Sequence, residues 1–323
     1  MRLARKLYIF YTLSLLLLSL IYLIPPDIVF NQIERHILIQ LKVPVLLTAW
    51  LVGAAICSAS ASLQVLLRNP LADPGIIGIT SGASLMAAAV LLLSGSVLSL
   101  SFIPVLDIYL LPIACFTGAF VSALLIFYMA RWMGGSVSSV ILAGIAISTL
   151  CSALVGWMFL VAPPNSLQNL TFWLMGSLNN SNYTTLSISA ILIVFALVFL
   201  IRIGPSLNRL YLGEQNAILS GVNTRTLQTR VIILVSILVG VSVSVAGSIA
   251  FLGLLVPHFV RRIHGNNNQI VMPISALIGA SVMVLCAIFN THFSSVSLPI
   301  SMLTASIGAP LFIYIMLKRR SFA

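Results

Sequence analysis

Few side chains in this sequence are of a type, or at a spacing, that could perform chemistry. The four cysteines (Cys57, Cys115, Cys151, Cys286) stand singly in apolar runs without CxxC or His spacing, and the four histidines are as scattered. The cysteines read as small buried hydrophobes, and neither set suggests a metal site. The chain has no G-x-x-x-x-G-K-[ST] loop to cradle a nucleotide and no HExxH. No paired-carboxylate or Ser-His-Asp set can be assigned. The chain is therefore read as non-catalytic, without a metal or cofactor of its own. No Asp, Glu, Lys or Arg lies near the middle of an apolar run, which disfavours coupling to protons or ions along intramembrane ionisable groups. Energy for any work must come from a partner.

The elements that hold these residues are set by composition. Of 323 residues 60% are hydrophobic and only 7% charged, so the chain cannot clothe a globule in water. Apolar runs near the roughly 20 residues needed to span a bilayer recur from Tyr8 to Leu317. The expectation is one membrane domain over residues 1–323, with the basic, apolar N-terminus retained as a first helix rather than cleaved. Nine runs are visible, but the one from Val231 to His258 has Arg225 and Arg230 before it and Arg261 and Arg262 after it. Two passes turning near Gly247 put both pairs on the same side. Fourteen of the sixteen basic residues are then cytoplasmic, with Arg35 and Lys42 outside, as the positive-inside rule favours. The net charge of +11 is thus accounted for by topology rather than by nucleic acid. This predicts an all-α polytopic protein with ten transmembrane helices and cytoplasmic N- and C-termini. Its eighth helix is short, about 18 Å, and must be shielded by its neighbours.

The largest inner loop, about 202–228, contains LGEQNAILSGVNTRTLQ. This reads as a short surface helix with an apolar side (Ala217, Ile218, Leu219, Val222), closed by Gly221 and Asn223. It either docks a cytoplasmic partner or rests on lipid, and the residues alone do not choose. In the NPLADP segment, Asn69 and Asp73 border Pro70 and Pro74 just after Arg68, which predicts a capped helix end near the cytoplasmic surface. Gly253, Pro257, His258, Arg261 and Arg262 repeat that pattern at the end of the short eighth pass. His258 reads as a cap or hydrogen-bond partner rather than a haem or metal ligand. Small residues recur in the second, fifth and seventh helices. They allow close packing, and some of those faces could equally line a wide path.

Three long stretches, LLRNPLADPGIIGITSGA, AGSIAFLGLLVPHFVRRIHG and LPISMLTASIGAPLFIYIMLKRR, carry a family resemblance together with LAGIAIS and FWLMGSL. From about Val43 onward the chain resembles the FecCD/BtuC-like permease subunits of binding-protein-dependent ABC importers for iron-siderophores, haem and cobalamin. The resemblance implies the ten-helix, BtuC-like type II importer fold in a bacterial inner membrane, working with a second permease copy or paralogue. It also implies two cytoplasmic ABC ATPase subunits, which hold the ATP and Mg2+, and a periplasmic or lipid-anchored substrate-binding protein. ATPase coupling is expected around Leu212, Gly213, Glu214, Ala217, Leu219, Gly221 and Val222.

At the outer surface the family pattern is altered. The usual R-L-P-R is replaced by Lys42, Val43, Pro44 and Val45, the arginine of A-D-x-x-A-R by Asn290, and the glutamate before L-P by Ser297. Arg35, Lys42, Asn290 and Ser297 are the expected binding-protein contacts. Iron-siderophore import by alternating access is the leading reading, with haem or cobalamin as other cargo. A non-transporting scaffold or receptor component is the alternative of another class.

Overall fold

The computed structural model describes residues 2–24, 32–93, 104–178, 181–292 and 298–319, and among them every regular element is helical. In chain order the helices are α1 (Arg2–Leu23), α2 (Gln32–Ile37), α3 (Val43–Leu66), α4 (Pro74–Ile77), α5 (Ile79–Leu93), α6 (Pro104–Trp132), α7 (Val137–Val161) and α8 (Pro164–Leu174). They continue as α9 (Tyr183–Arg202), α10 (Gly204–Tyr211), α11 (Glu214–Leu219), α12 (Thr224–Ala246), α13 (Leu252–His264), α14 (Asn268–His292) and α15 (Ile300–Arg319). A π-helical turn, Leu38–Lys42, joins α2 to α3. Pro44 follows it and lacks the N–H that an α-helix would direct back one turn.

Seven of these segments are long and apolar enough to cross a membrane: those in α1, α2–α3, α6, α7, α9, α12 and α14. Shorter apolar helices lie at Ile79–Leu92 and Ile300–Tyr314. With the 13-residue α13 they complete the ten membrane segments of an all-α polytopic fold. The predicted third segment is broken, because Gly78 adopts a left-handed φ of 97° and separates α4 from α5. The predicted outer loop at 162–182 contains α8, opened by Pro164 at a position where a missing N–H costs nothing. Leu170 anchors α8, fully buried against Ala88 and Leu92 of α5.

Side-chain hydrogen bonds define two ends. At one, Tyr8 donates to the Gln269 carbonyl (2.8 Å), Tyr11 pairs with His264 (2.9 Å), and Arg68 lies 3.6 Å from Glu214. At the other, Lys42 donates to the Tyr22 carbonyl (3.4 Å) and Tyr183 to that of Ile39. The first end holds the segments expected inside, and the second those expected outside.

The centre of the bundle is α3, whose Ser58, Ala59, Ser60, Ala61 and Ser62 are all fully buried. At Gly53 and Gly279 the backbones of α3 and α14 touch, and a Cβ on either would collide with the opposite carbonyl. The small-residue stripe of α3 is therefore a packing surface, in line with small-residue contacts between membrane helices. On α7 only one side is packed in this way: Gly144 lies against Ile77, whereas Leu142, Ile145 and Leu150 are exposed.

Candidate coupling site at the inner end

The NPLADP segment folds through local polar bonds. Arg68 closes α3 in a left-handed conformation (φ 46°), and the Asn69 N–H returns to the Gln64 carbonyl at 3.1 Å. Asn69 Oδ1 accepts from the Leu71 N–H (2.9 Å), and Asp73 caps α4 by accepting from the Gly75 N–H (2.8 Å). Pro74 then occupies the first turn of α4. Asp73 is also buried and accepts from Ser60 of α3 at 3.4 Å. Gly253 of α13 seats directly on this pair, because a Cβ there would overlap both Ser60 Oγ and Asp73 Oδ2. The elbow and the short helix thus form a single joint.

A second joint is centred on Arg261. Its Nη2 donates to the Ala61 carbonyl (2.8 Å) and to Asn268 Oδ1 (2.9 Å), and its Nε to Gln64 Oε1 (3.4 Å). The guanidinium also lies 5.9 Å from the Tyr211 ring, a cation–π contact to the end of α10. Asn268 is fully buried, and its backbone and side-chain N–H groups both donate to Asn208 Oδ1 (2.6 and 2.9 Å). Asn208 in turn donates to Asn267 Oδ1 at 2.8 Å. Displacement of α10 therefore bears directly on α14, α13 and α3. The sequence alone does not point to Asn208, Asn268 or Gln64, and it marks Ser60 only as one of the small residues of α3. The run of asparagines before α14 was the available signal, since such residues favour helix starts.

The predicted docking helix, around Leu212 to Val222, is α11, and the same inner loop holds a second short helix, α10, before it. Gly213 (φ 120°) separates them and Gly221 (φ 81°) ends the second. Asn223 does not end α11 but caps α12, accepting from the Thr226 N–H at 3.0 Å. Ala217 is fully buried and holds α11 against the bundle, so it is not an outward contact, and Val222 is half-buried. Leu212 (72% exposed), Ile218 and Leu219 (87%) form the outward apolar surface, beside exposed Glu214 and its partner Arg68. Pro257 is buried within α13, His258 is half-buried there, and Arg262 is exposed. No three His, Cys, Asp or Glu side chains converge on a metal site among the described residues.

A third convergence lies deeper. Between α12 and α13 the chain turns through Gly247 (φ 71°) and Phe251 (φ 64°). This corner is about 20 Å from the far end of α13, and so within a hydrocarbon layer roughly 30 Å thick. Backbone at that depth must be paired inside the protein or face a polar cavity. Ser177 N–H donates to the Ala246 carbonyl (2.9 Å), and Ser301 Oγ donates to that of Ser248. Ile300 and Ser301 donate through their N–H groups to Gly176 and Met175 (3.0 and 3.1 Å). The sequence stretches FWLMGSL, AGSIAF and LPISM therefore meet at one point.

The outer candidates divide. Lys42 is turned inward, bonded to the Tyr22 carbonyl with its Nζ 5.9 Å from the Tyr22 ring. Asn290 is fully engaged with Leu298, donating to its carbonyl (3.1 Å) and accepting from its N–H (2.9 Å). Arg35 is exposed on α2, and Ser297 lies outside the described residues.

Comparison with known proteins fits this architecture. The profile of the FecCD transport family matches residues 7–318. The vitamin B12 import system permease BtuC of Vibrio vulnificus (strain CMCP6) is 36% identical over 94% of this chain and 91% of its own length. The hemin transport system permease HmuU of Yersinia pestis is 34% identical over 90% of this chain and 86% of its own. A chain from an inward-facing metal-chelate type ABC transporter superposes with a TM-score of 0.87 at 31% identity, covering 97% of this chain and 99% of that one. These relatives are permease subunits, whereas ATP hydrolysis in such importers belongs to a separate subunit. The protein is thus a multi-pass membrane permease of the ABC-importer class, a member of the FecCD transport family.

Proposed function

We propose that this chain is the membrane-spanning half of an ATP-driven importer that carries a bulky metal chelate across the bacterial inner membrane by alternating access. Iron-siderophore complexes are the first cargo to test. The single observation that carries the mechanism is the continuous set of bonds from α10 through Asn208, Asn268 and Arg261 to α13 and α3. An ATPase subunit docked on Leu212, Glu214, Ile218 and Leu219 would move α10 and α11 as nucleotide draws the two ATPases together. Because Arg261 and Gly253 tie α13 to α3, that motion would reach the corner at Gly247, where α8, α13 and α15 meet. A partner shifts such an equilibrium only by its differential affinity for the two states.

The cargo reading rests on the motif resemblance and on relatives named for vitamin B12, hemin and metal chelates. Burial of charge is sparse along the bundle, which suits a large ligand that is recognised by the binding protein and only passed on by the permease. A second permease subunit would complete the path. The outer contact to the binding protein would fall to Arg35 and backbone groups, since Lys42 and Asn290 already have partners.

The test is reconstitution with the ATPase and binding protein in vesicles, followed by uptake of labelled ferric siderophore, hemin or cobalamin. ATP-dependent accumulation of the ferric siderophore is expected. Uptake of hemin or cobalamin alone would replace the cargo reading and leave the importer reading standing. No uptake of any of the three, with ATP hydrolysis indifferent to the loaded binding protein, would favour a scaffold or receptor component.

A further inference from the structure

A cavity of about 210 Å³ opens at the inner end between α3, α4, α5, α6, α7 and α12. Its walls are apolar: Leu63, Leu67, Ile77 and Ile126 are buried, with Phe127 and Val140 nearer the surface. The polar groups at its rim include exposed Arg131 and Arg225 and half-buried Gln228. Neither arginine makes an ion pair or side-chain hydrogen bond among the described residues, and Glu214, at the same end, is paired with Arg68. Trp132, next to Arg131, is 92% exposed, and Tyr128, one turn before it, is 63% exposed. Tryptophan and tyrosine displayed beside a basic residue at the end of a membrane helix mark the headgroup level of the bilayer.

We propose that this cavity is a binding site for an anionic glycerophospholipid of the inner leaflet, with one acyl chain between α3, α6 and α7 and the phosphate against Arg131 and Arg225. The occupant must be amphiphilic. A soluble anion would satisfy the arginines and leave the apolar walls in water, whereas a neutral lipid would fill the walls and leave both guanidiniums without a counter-charge. An anionic lipid satisfies both, and the aromatic side chains put the rim at the depth where its phosphate lies. Arg225 stands in the first turn of α12, which packs against α11, so a lipid held there would brace the start of α12 beside the coupling segment. The proposal does not depend on which cargo is carried.

The experiment is photolabelling of the full-length chain in phosphatidylcholine nanodiscs, using phosphatidylglycerol with a diazirine near the end of one acyl chain. Label is expected on Leu66, Ile126, Phe127 or Val140. Unlabelled phosphatidylglycerol should compete, and phosphatidylcholine and soluble glycerol 3-phosphate should not. Each of Arg131→Gln and Arg225→Gln should weaken labelling about fivefold, the factor corresponding to one basic residue at an anionic surface. Ile126→Trp, which fills the cavity, should abolish label there while leaving label on the lipid-facing side of α9 unchanged. Equal competition by phosphatidylcholine at the cavity residues, or labelling confined to lipid-facing surfaces outside the cavity, would overturn the proposal. Displacement by glycerol 3-phosphate would reduce the site to an anion site. Loss of cavity label when the ATPase is bound would make a protein side chain the resident group. The competition arms use the unsubstituted chain, so a variant that fails to fold does not decide the matter.

Discussion

The two ends of this bundle are fastened in different ways. At the inner end, side chains bond to side chains across four helices: Asn208 to Asn268, Asn268 to Arg261, Arg261 to Gln64, and Ser60 to Asp73 beneath Gly253. At the outer end Lys42, Tyr183 and Asn290 bond to the backbone of Tyr22, Ile39 and Leu298, and the side-chain pair nearest them is the single bond from Trp50 to Ser19. The inner end also contains the buried carboxylate of Asp73 and the half-buried guanidinium of Arg261, each held by several partners. Buried charge is expensive unless it is bonded, so such a joint has few alternative geometries. That makes the inner end suited to passing on a displacement. The outer end can adjust to a partner's surface without breaking more than one or two bonds at a time.

The contrast is most severely tested at Gly253. Gly253→Val should drive α13 off Ser60 and Asp73 and lower stability by about 3 kcal/mol, the upper range for overpacking. The readout is thermal unfolding in detergent, and an unchanged midpoint would mean that the joint is looser than its geometry. Arg261→Met should follow at about 2 kcal/mol, because it leaves the Ala61 carbonyl and Asn268 Oδ1 without their buried donor. Its distinguishing effect is on coupling. The ATPase should still co-purify, while its stimulation by the loaded binding protein is lost, and Arg261→Lys should not restore it, since an ammonium lacks the planar fork. Stimulation intact in Arg261→Met would remove this residue from the transmission path.

Smaller effects are expected at the outer end. Asn290→Ala breaks both bonds to Leu298 and should cost about 1 kcal/mol in unfolding experiments without altering ATPase stimulation. Loss of stimulation in this variant would erase the difference between the ends. The exposed Arg68–Glu214 pair should matter least for stability. Arg68→Ala is expected to change it by no more than about 1 kcal/mol, because solvent screens a pair in which both side chains are about half exposed. A larger change would show that this pair belongs to the rigid joint rather than to its surface.

How far the sequence could be read depended on the distance between partners. The elbow at Asn69 and Asp73 was legible because capping bonds join residues two or three positions apart. The short eighth helix was legible from charge, since Arg225, Arg230, Arg261 and Arg262 had to share a side. Ala217 was not placed correctly, because α11 has only six residues and its inward face depends on how it lies against its neighbours. Lys42 and Asn290 read as free surface groups for the same reason: their partners, Tyr22 and Leu298, meet them only after folding.

The sequence by itself determined the number of membrane segments, their orientation, the ends of the local caps and the family. Apolar length, basic residues and ordered motifs are properties of contiguous chain. Only the tertiary structure decided that the motifs gather into an inner joint and a corner within the membrane. Arg261 and Gln64 lie 197 residues apart, and Gly176 and Ile300 lie 124 apart (300 less 176), so no local pattern records their meeting. Their pairing follows from close helix packing and from the cost of leaving buried polar groups unpaired away from water.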